Sequence, residues 1–254
     1  MPTSSPASPP SAAAGSESSP SGMTARPPAA VVFDLDQTLW DFTVLRDRAI
    51  DAVMERLARE VPDLNLPGGP VLEPSRIQDL YDELEAANPA TRVPHSRIRR
   101  EALTRAARQL GIEDPEVHDD LVDTYFSVRH GPAEPYDDVI PTLRTLKGAG
   151  TALAVLSNGN TRLHLIGLDG WWDAVVLAPE VGLAKPDPAI FELVADRLGV
   201  AEPSSLMSVG DNLVHDIEPA RALGWRAVHL DREAATSSDD TINTLEVLPG
   251  LLGL

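Results

Sequence analysis

Cysteine is absent from this sequence. That excludes disulfides, zinc-thiolate sites and thiol catalysis. Aromatic residues make up only 4%. No apolar run approaches the roughly 20 residues that cross a bilayer, so no membrane partner is expected. Lysine is almost missing: the 21 cations are all arginine except Lys147 and Lys185. Basic residues are few beside the 39 acidic ones, and the net charge is −18. Nucleic-acid binding needs Lys and Arg on phosphates, so such a balance argues against it. The six histidines are scattered, and no two share the i, i+4 spacing of a helical zinc site.

What is present is enough apolar residue, 43% of 254 positions, for a sizeable core with an inserted module. Residues 1–29 are rich in Pro, Ser, Ala and Gly, a composition expected to stay disordered. They have no continuous apolar segment or basic start, which makes a poor signal peptide. A cytoplasmic protein is expected, as a monomer or homodimer, and Met23 offers an alternative start.

Ala30–Leu35 reads as a buried strand. From about Phe42 to Pro135 the pattern is helical, with segments over 47–61, 75–87, 95–110 and 115–130. Strand and helix then alternate: helix 139–147, strand 151–156, strand 174–177, helix 188–198, strand 206–209, helix 214–223 and strand 227–230. Such alternation predicts an α/β fold: a doubly wound, parallel, Rossmann-like sheet. The expected division is a core of 30–41 and 136–254, with an all-helical module at 42–135.

Ligands of such sheets sit beyond the carboxyl ends of the strands, and four polar groups follow strands here. Asp34 and Asp36 leave the first. One carboxylate can attack phosphorus while the other protonates the leaving oxygen and then activates water; a solvated turn capped by Asp fits equally well. Chance alone supplies D-x-D-x-T about one time in ten in so acidic a chain. Ser157, Asn158 and Gly159 follow the second strand and can cradle a phosphoryl oxygen, although they are also ordinary turn residues. Lys185 precedes a helix in a chain that otherwise selects Arg, and a compact ammonium suits a phosphate or carboxylate. Asp211 ends a later strand and Asp216 lies five residues on; capping by Asp211 or Asn212 is the competing role. Together they form a set suited to phosphoryl transfer.

The chain resembles the haloacid-dehalogenase-like superfamily, in the subfamily with a helical cap inserted after the first strand. The resemblance rests on FDLDQTL (33–39), SNG (157–159), KPDP (185–188) and GDNLVHD (210–216). It implies an aspartyl-phosphate at Asp34, general acid–base action by Asp36, and a phosphoryl oxygen held by Ser157 with help from the backbone of Asn158 and Gly159. It further implies charge stabilisation by Lys185. Mg²⁺ would lie on the carboxylates of Asp34 and Asp211 and the carbonyl of Asp36, with Asp216 and Asn212 supporting that site from outside. Mg²⁺ takes few protein oxygens and keeps waters and phosphate around it, which suits this set. Gln37 stands where the family usually has Gly, and the segment between Ser157 and Trp172 is short.

The expected activity is a phosphatase acting on a small phosphorylated metabolite. A leaving alkoxide needs a proton and a leaving halide does not, so Asp36 favours phosphate esters over carbon–halogen bonds. Dehalogenation and a non-catalytic binding role on the same fold are the alternatives. In the cap, Arg92, Arg97, Arg99, Arg100, Arg105 and Arg108 form a basic patch. Arg99 and Arg100 flank the apolar stripe of its helix, where they could grip a substrate anion or lie on a solvated, ion-paired face. Trp40 and Phe42 either stack on a substrate ring or pack at the hinge.

Overall fold

The computed structural model describes residues 27–87 and 95–254. The first strand, β1 (Ala30–Phe33), lies in the middle of a six-stranded sheet. Four helices follow it: α1 (Phe42–Glu60), α2 (Pro74–Ala87), α3 (His95–Gln109) and α4 (Pro115–Arg129). The chain then alternates through α5 (Val139–Gly148), β2 (Ala152–Ser157), β3 (Ala174–Leu177), α6 (Ala178–Val181), α7 (Pro188–Leu198), β4 (Leu206–Gly210), α8 (Glu218–Ala222), β5 (Arg226–Leu230), β6 (Thr241–Ile242) and α9 (Leu248–Leu251).

The strand order is β3-β2-β1-β4-β5-β6, and every pairing is parallel. Parallel sheets need cover on both faces, so their strands are apolar throughout. Side chains alternate accordingly. Val31, Phe33, Leu153, Val155, Met207 and Val209 pack against Val139, Leu143 and Leu146 of α5. Ala30, Val32, Ala154, Leu156 and Leu206 face Ile190, Phe191 and Val194 of α7. The sheet is doubly wound, and its order reverses at β1, which has β2 on one side and β4 on the other. The crevice at such a reversal is where ligands bind.

Helices α1 to α4 bury a core of their own, including Ala49, Val53, Leu57, Ile77, Leu103 and Leu121. Their starts are set by sequence. Asp41 accepts a bond from the Thr43 N–H, and Asp114 one from the Glu116 N–H ahead of Pro115, an arrangement that satisfies otherwise free N–H groups. The chain leaves and re-enters the sheet region side by side, since Trp40 bridges Pro135 and Tyr136 donates its N–H to the Leu39 carbonyl.

One expectation changes. Val214–Leu223 is not one helix. Leu213–Ile217 forms a wide turn in which the Glu218 N–H reaches the Leu213 carbonyl, five residues back, and α8 follows. Pro219 has no N–H to give His215, so a regular helix would lose a bond there. Between β2 and β3 only a 3₁₀ turn forms, Leu163–Ile166, closed by Gly167 at φ 68°. The short strand β6 carried too little pattern to be read. Of the tail expected over 1–29, residues 1–26 lie outside the described residues, as does Arg92.

Candidate active site

Asp34 follows β1 directly, and its N–H still bonds the Val209 carbonyl of β4 at 2.9 Å. The chain then coils tightly. Leu39 and Thr38 both donate to the Leu35 carbonyl. Gln37 takes φ 65°, a left-handed conformation that costs a side chain about 1–2 kcal/mol and glycine nothing. That is the physical reason a glycine suits this position. The coil returns the Asp36 side chain toward the same crevice as Asp34.

Lys185 ties the site together. Its Nζ lies 2.6 Å from Asp34 Oδ1 and 2.5 Å from Asp216 Oδ1, and the residue is 3% exposed. Its backbone is clamped at both ends by the Asn158 side chain. Asn158 Oδ1 accepts the Lys185 N–H at 2.7 Å, and Nδ2 donates to the Lys185 carbonyl at 3.0 Å. Burial opposes the ammonium, but Asp216 and Asp34 outweigh it and hold the lysine above its ordinary value.

Asp34, Asp211 and Asp216 each offer a carboxylate oxygen within 4.8 Å of the others. One ammonium faces three carboxylates, so the cluster has an excess of negative charge. Burial lifts Asp34 well above the usual carboxylate range; Lys185 pulls it down, while Asp216, Asp211 and Asp36 push it further up. Asp211 is pushed up to about 6, by burial first and then by Asp216. Buried like charges of this kind are relieved by protonation or by a cation. The donor set, all oxygen and strongly acidic, fits a hard divalent ion. The Asp36 carboxylate is not among the three: Oδ1 accepts from Trp40 Nε1 at 2.9 Å and Thr161 Oγ1 at 3.1 Å, and Oδ2 from Arg129 at 3.4 Å.

Two glycines are dictated by close approach. A Cβ on Gly159 would sit 2.8 Å from Asp36 Oδ2, and one on Gly210 would collide with the Asp216 carboxylate. Asp216 in turn accepts the Asn212 N–H at 3.0 Å, and Asn212 caps the wide turn by accepting from Val214 and His215. Ser157 is buried, its Oγ accepting the Gly159 N–H at 3.0 Å.

These groups open on a cavity of about 400 Å³. Asp34, Asp36, Ser157, Lys185 and Asp211 line it from the sheet, and Tyr81, Arg99 and Tyr125 from the helices. The two arginines considered together in sequence are parted. Arg99 is buried and lines the cavity, whereas Arg100 points outward to Asp119. Arg105 and Arg108 pair with Glu101 and Glu113, so an acidic neighbour accounts for much of the basic patch. Trp40 is buried beneath Asp36, and Phe42 packs beside it under Arg129.

Several contributors were not singled out from the sequence. Thr38 is fully buried, and its Oγ1 accepts the Asp211 N–H at 3.1 Å and lies 3.4 Å from Asp211 Oδ1. Its place as the last member of D-x-D-x-T was the available clue. Thr161 and Arg129 reach Asp36 from 125 and 93 residues away, a proximity only folding creates.

The fold and the site define an acidic centre on a doubly wound parallel sheet: an aspartate at the switch point, a lysine bound to it, and further carboxylates at the next strand. A model of haloacid dehalogenase-like hydrolases matches residues 28–224, and the chain belongs to that family. It is 28% identical to the glyceraldehyde 3-phosphate phosphatase of Methanopyrus kandleri, over 86% of this chain and 92% of that one. A solved 2-haloacid dehalogenase from Pseudomonas syringae pv. Tomato DC3000 is 29% identical, with a TM-score of 0.67 over 88% of this chain and 97% of that one. The HAD-hydrolase YfnB of Bacillus subtilis, 18% identical, shares the fold with a TM-score of 0.74 over 91% and 100%. No helix among the described residues is long and apolar enough to cross a membrane.

Proposed function

We propose that this protein is a Mg²⁺-dependent phosphomonoester hydrolase acting on a small phosphorylated metabolite. The observation that carries this reading is Asp36. It lines the same cavity as Asp34, yet it stands outside the carboxylate cluster and is held by its own donors. Attack on carbon with loss of halide needs one carboxylate; release of an alkoxide needs a second as proton donor. The likeness to the phosphatase of Methanopyrus kandleri points the same way.

In this reading Asp34 attacks phosphorus through its oxygen not bonded to Lys185, and the ester oxygen departs with a proton from Asp36. Asp36 then takes a proton from the water that cleaves the aspartyl-phosphate. Lys185 keeps the Asp34 carboxylate placed and offsets charge on the transferring group. Ser157 and the backbone of Asn158 and Gly159 cradle a phosphoryl oxygen. Asp34, Asp211 and the Asp36 carbonyl would hold Mg²⁺, which when bound neutralises charge on the phosphoryl oxygens. Asp216 acts through Lys185 and Asn212. Helices α1 to α4 serve as a cap over the site, bounded by 42 and 135, and closing it would exclude water.

The dehalogenase alternative is kept because a structural relative at similar identity carries that name. The test is phosphate release from p-nitrophenyl phosphate in Mg²⁺, run beside halide release from 2-chloropropionate, for the parent and Asp34→Asn. Phosphate release that needs both Mg²⁺ and Asp34 is expected. Halide without phosphate would reverse the assignment.

A further inference from the structure

Among the described residues, three have a buried side-chain nitrogen with no hydrogen-bond partner: Arg99, Trp172 and Arg232. Only Arg99 lines the site cavity. Its residue is 5% exposed. Nη2 donates to Gln78 Oε1 at 2.9 Å, and Nη1 donates to nothing. The guanidinium is flanked by two rings, 4.1 Å from the centroid of Tyr81 and 4.9 Å from that of Tyr125. Its plane is therefore fixed while part of its donor edge is unused.

Cation–π contacts with the two rings contribute only part of what a buried cation needs. They do not replace a counter-ion, because an unpaired buried charge costs several kcal/mol. No carboxylate among the described residues forms an ion pair with Arg99. A partner from outside the chain would complete it. An arginine edge is matched to an oxyanion, which it binds with two parallel bonds. The neighbours choose between anions. Asp82 and Glu85 line the same cavity, with Asp82 close enough to act on Arg99, and their charge penalises a dianion more than a monoanion.

We propose that Arg99 determines specificity by receiving a carboxylate at the end of the substrate remote from its phosphate, so that the substrates are phosphorylated hydroxy acids. This deepens the phosphatase reading and rests on it. The cavity volume, about 400 Å³, is near the lower end of the roughly 300–1,000 Å³ that small-ligand sites occupy, which suits a short molecule.

The experiment compares 3-phosphoglycerate with glycerol 3-phosphate, which has a hydroxymethyl group in place of the carboxylate. The parent should favour the former in kcat/KM. In Arg99→Gln that preference should fall by about 10- to 100-fold, chiefly through KM, as expected for one charge-assisted contact. Arg99→Lys should recover part of it. An unchanged ratio in Arg99→Gln, or equal use of both esters by the parent, would overturn the assignment. So would a preference for a bisphosphate over the carboxylate. If Arg99→Gln does not fold, competition on the parent decides: glycerate should inhibit glycerol 3-phosphate hydrolysis competitively and glycerol should not. Loss of all ester hydrolysis in the parent would strike the phosphatase reading alone. Calorimetric binding of glycerate to parent and variants would then still judge Arg99.

Discussion

Replacing Asp211 by Asn should stabilise the metal-free protein at neutral pH, although it removes a proposed metal ligand. Asp211 titrates near 6 in the fold, against an ordinary 3.8, because it is buried and faces Asp216. A group whose folded pKa is raised contributes stability that is present below its unfolded value and lost as pH rises through its folded one. At about 1.4 kcal/mol for each pH unit, the difference amounts to about 3 kcal/mol, lost between roughly pH 4 and 6. Asn carries no charge to lose and keeps an oxygen near the Thr38 hydroxyl, which also accepts the backbone N–H of residue 211. For a chain of this size, about 3 kcal/mol corresponds to roughly 6–12 °C in Tm. The assay is thermal unfolding in EDTA from pH 4.5 to 7.5. The variant should start within about 1 kcal/mol of the parent and finish several degrees above it. In Mg²⁺ at about a thousandfold its Kd the order should reverse, since such a ligand stabilises the parent by about 4.1 kcal/mol. A variant no more stable than the parent at pH 7.5 in EDTA would refute the strained-carboxylate account.

Three further perturbations read other parts of the structure. Lys185→Met should lower metal-free stability by about 3–5 kcal/mol at pH 7.5, because it leaves the Asp34 and Asp216 carboxylates buried without their cation; urea unfolding measures this, and a change under 1 kcal/mol, within the surface-pair range, would contradict it. Gln37→Gly should raise stability by about 1 kcal/mol by relieving its left-handed backbone, and a loss of stability would contradict that. Asp138 accepts bonds from Arg232, Thr244 and the Leu245 N–H; burial raises its pKa, but Arg232 and Leu245 more than offset this and hold it low. Its contribution is therefore present above about pH 4 and lost as pH falls further, so the stability gap between parent and Asp138→Asn should close only below pH 4.

The elements around the sheet were legible because their signals are local. The expected strand 174–177 and helix 188–198 match β3 and α7, where apolar runs are bounded by Pro and Gly. The turn at Leu213–Ile217 was not legible, since its hydrophobic spacing resembles a helix and only Pro219 argues otherwise. Motif residues at strand ends converge as their order suggested, with Lys185 between Asp34 and Asp216. Their support was hidden for a different reason. The side-chain clamp of Asn158 on Lys185 and the contact of Arg129 with Asp36 span 27 and 93 residues, and neither leaves a pattern in sequence. Arg99 and Arg100 were indistinguishable as neighbours. The helix rotates about 100° per residue, and that alone sends one into the cavity and the other to Asp119.

The central claim is that Asp34 takes up a phosphoryl group. The most direct measurement mixes the protein with Mg²⁺ and an excess of a hydrolysed phosphomonoester, quenches in acid within the first turnover, and weighs the peptides. The peptide holding Asp34 should gain the mass of one phosphoryl group, absent from Asp34→Asn and lost after hydroxylamine treatment. Phosphate release in the first turnover with an unmodified Asp34 peptide throughout would contradict the account.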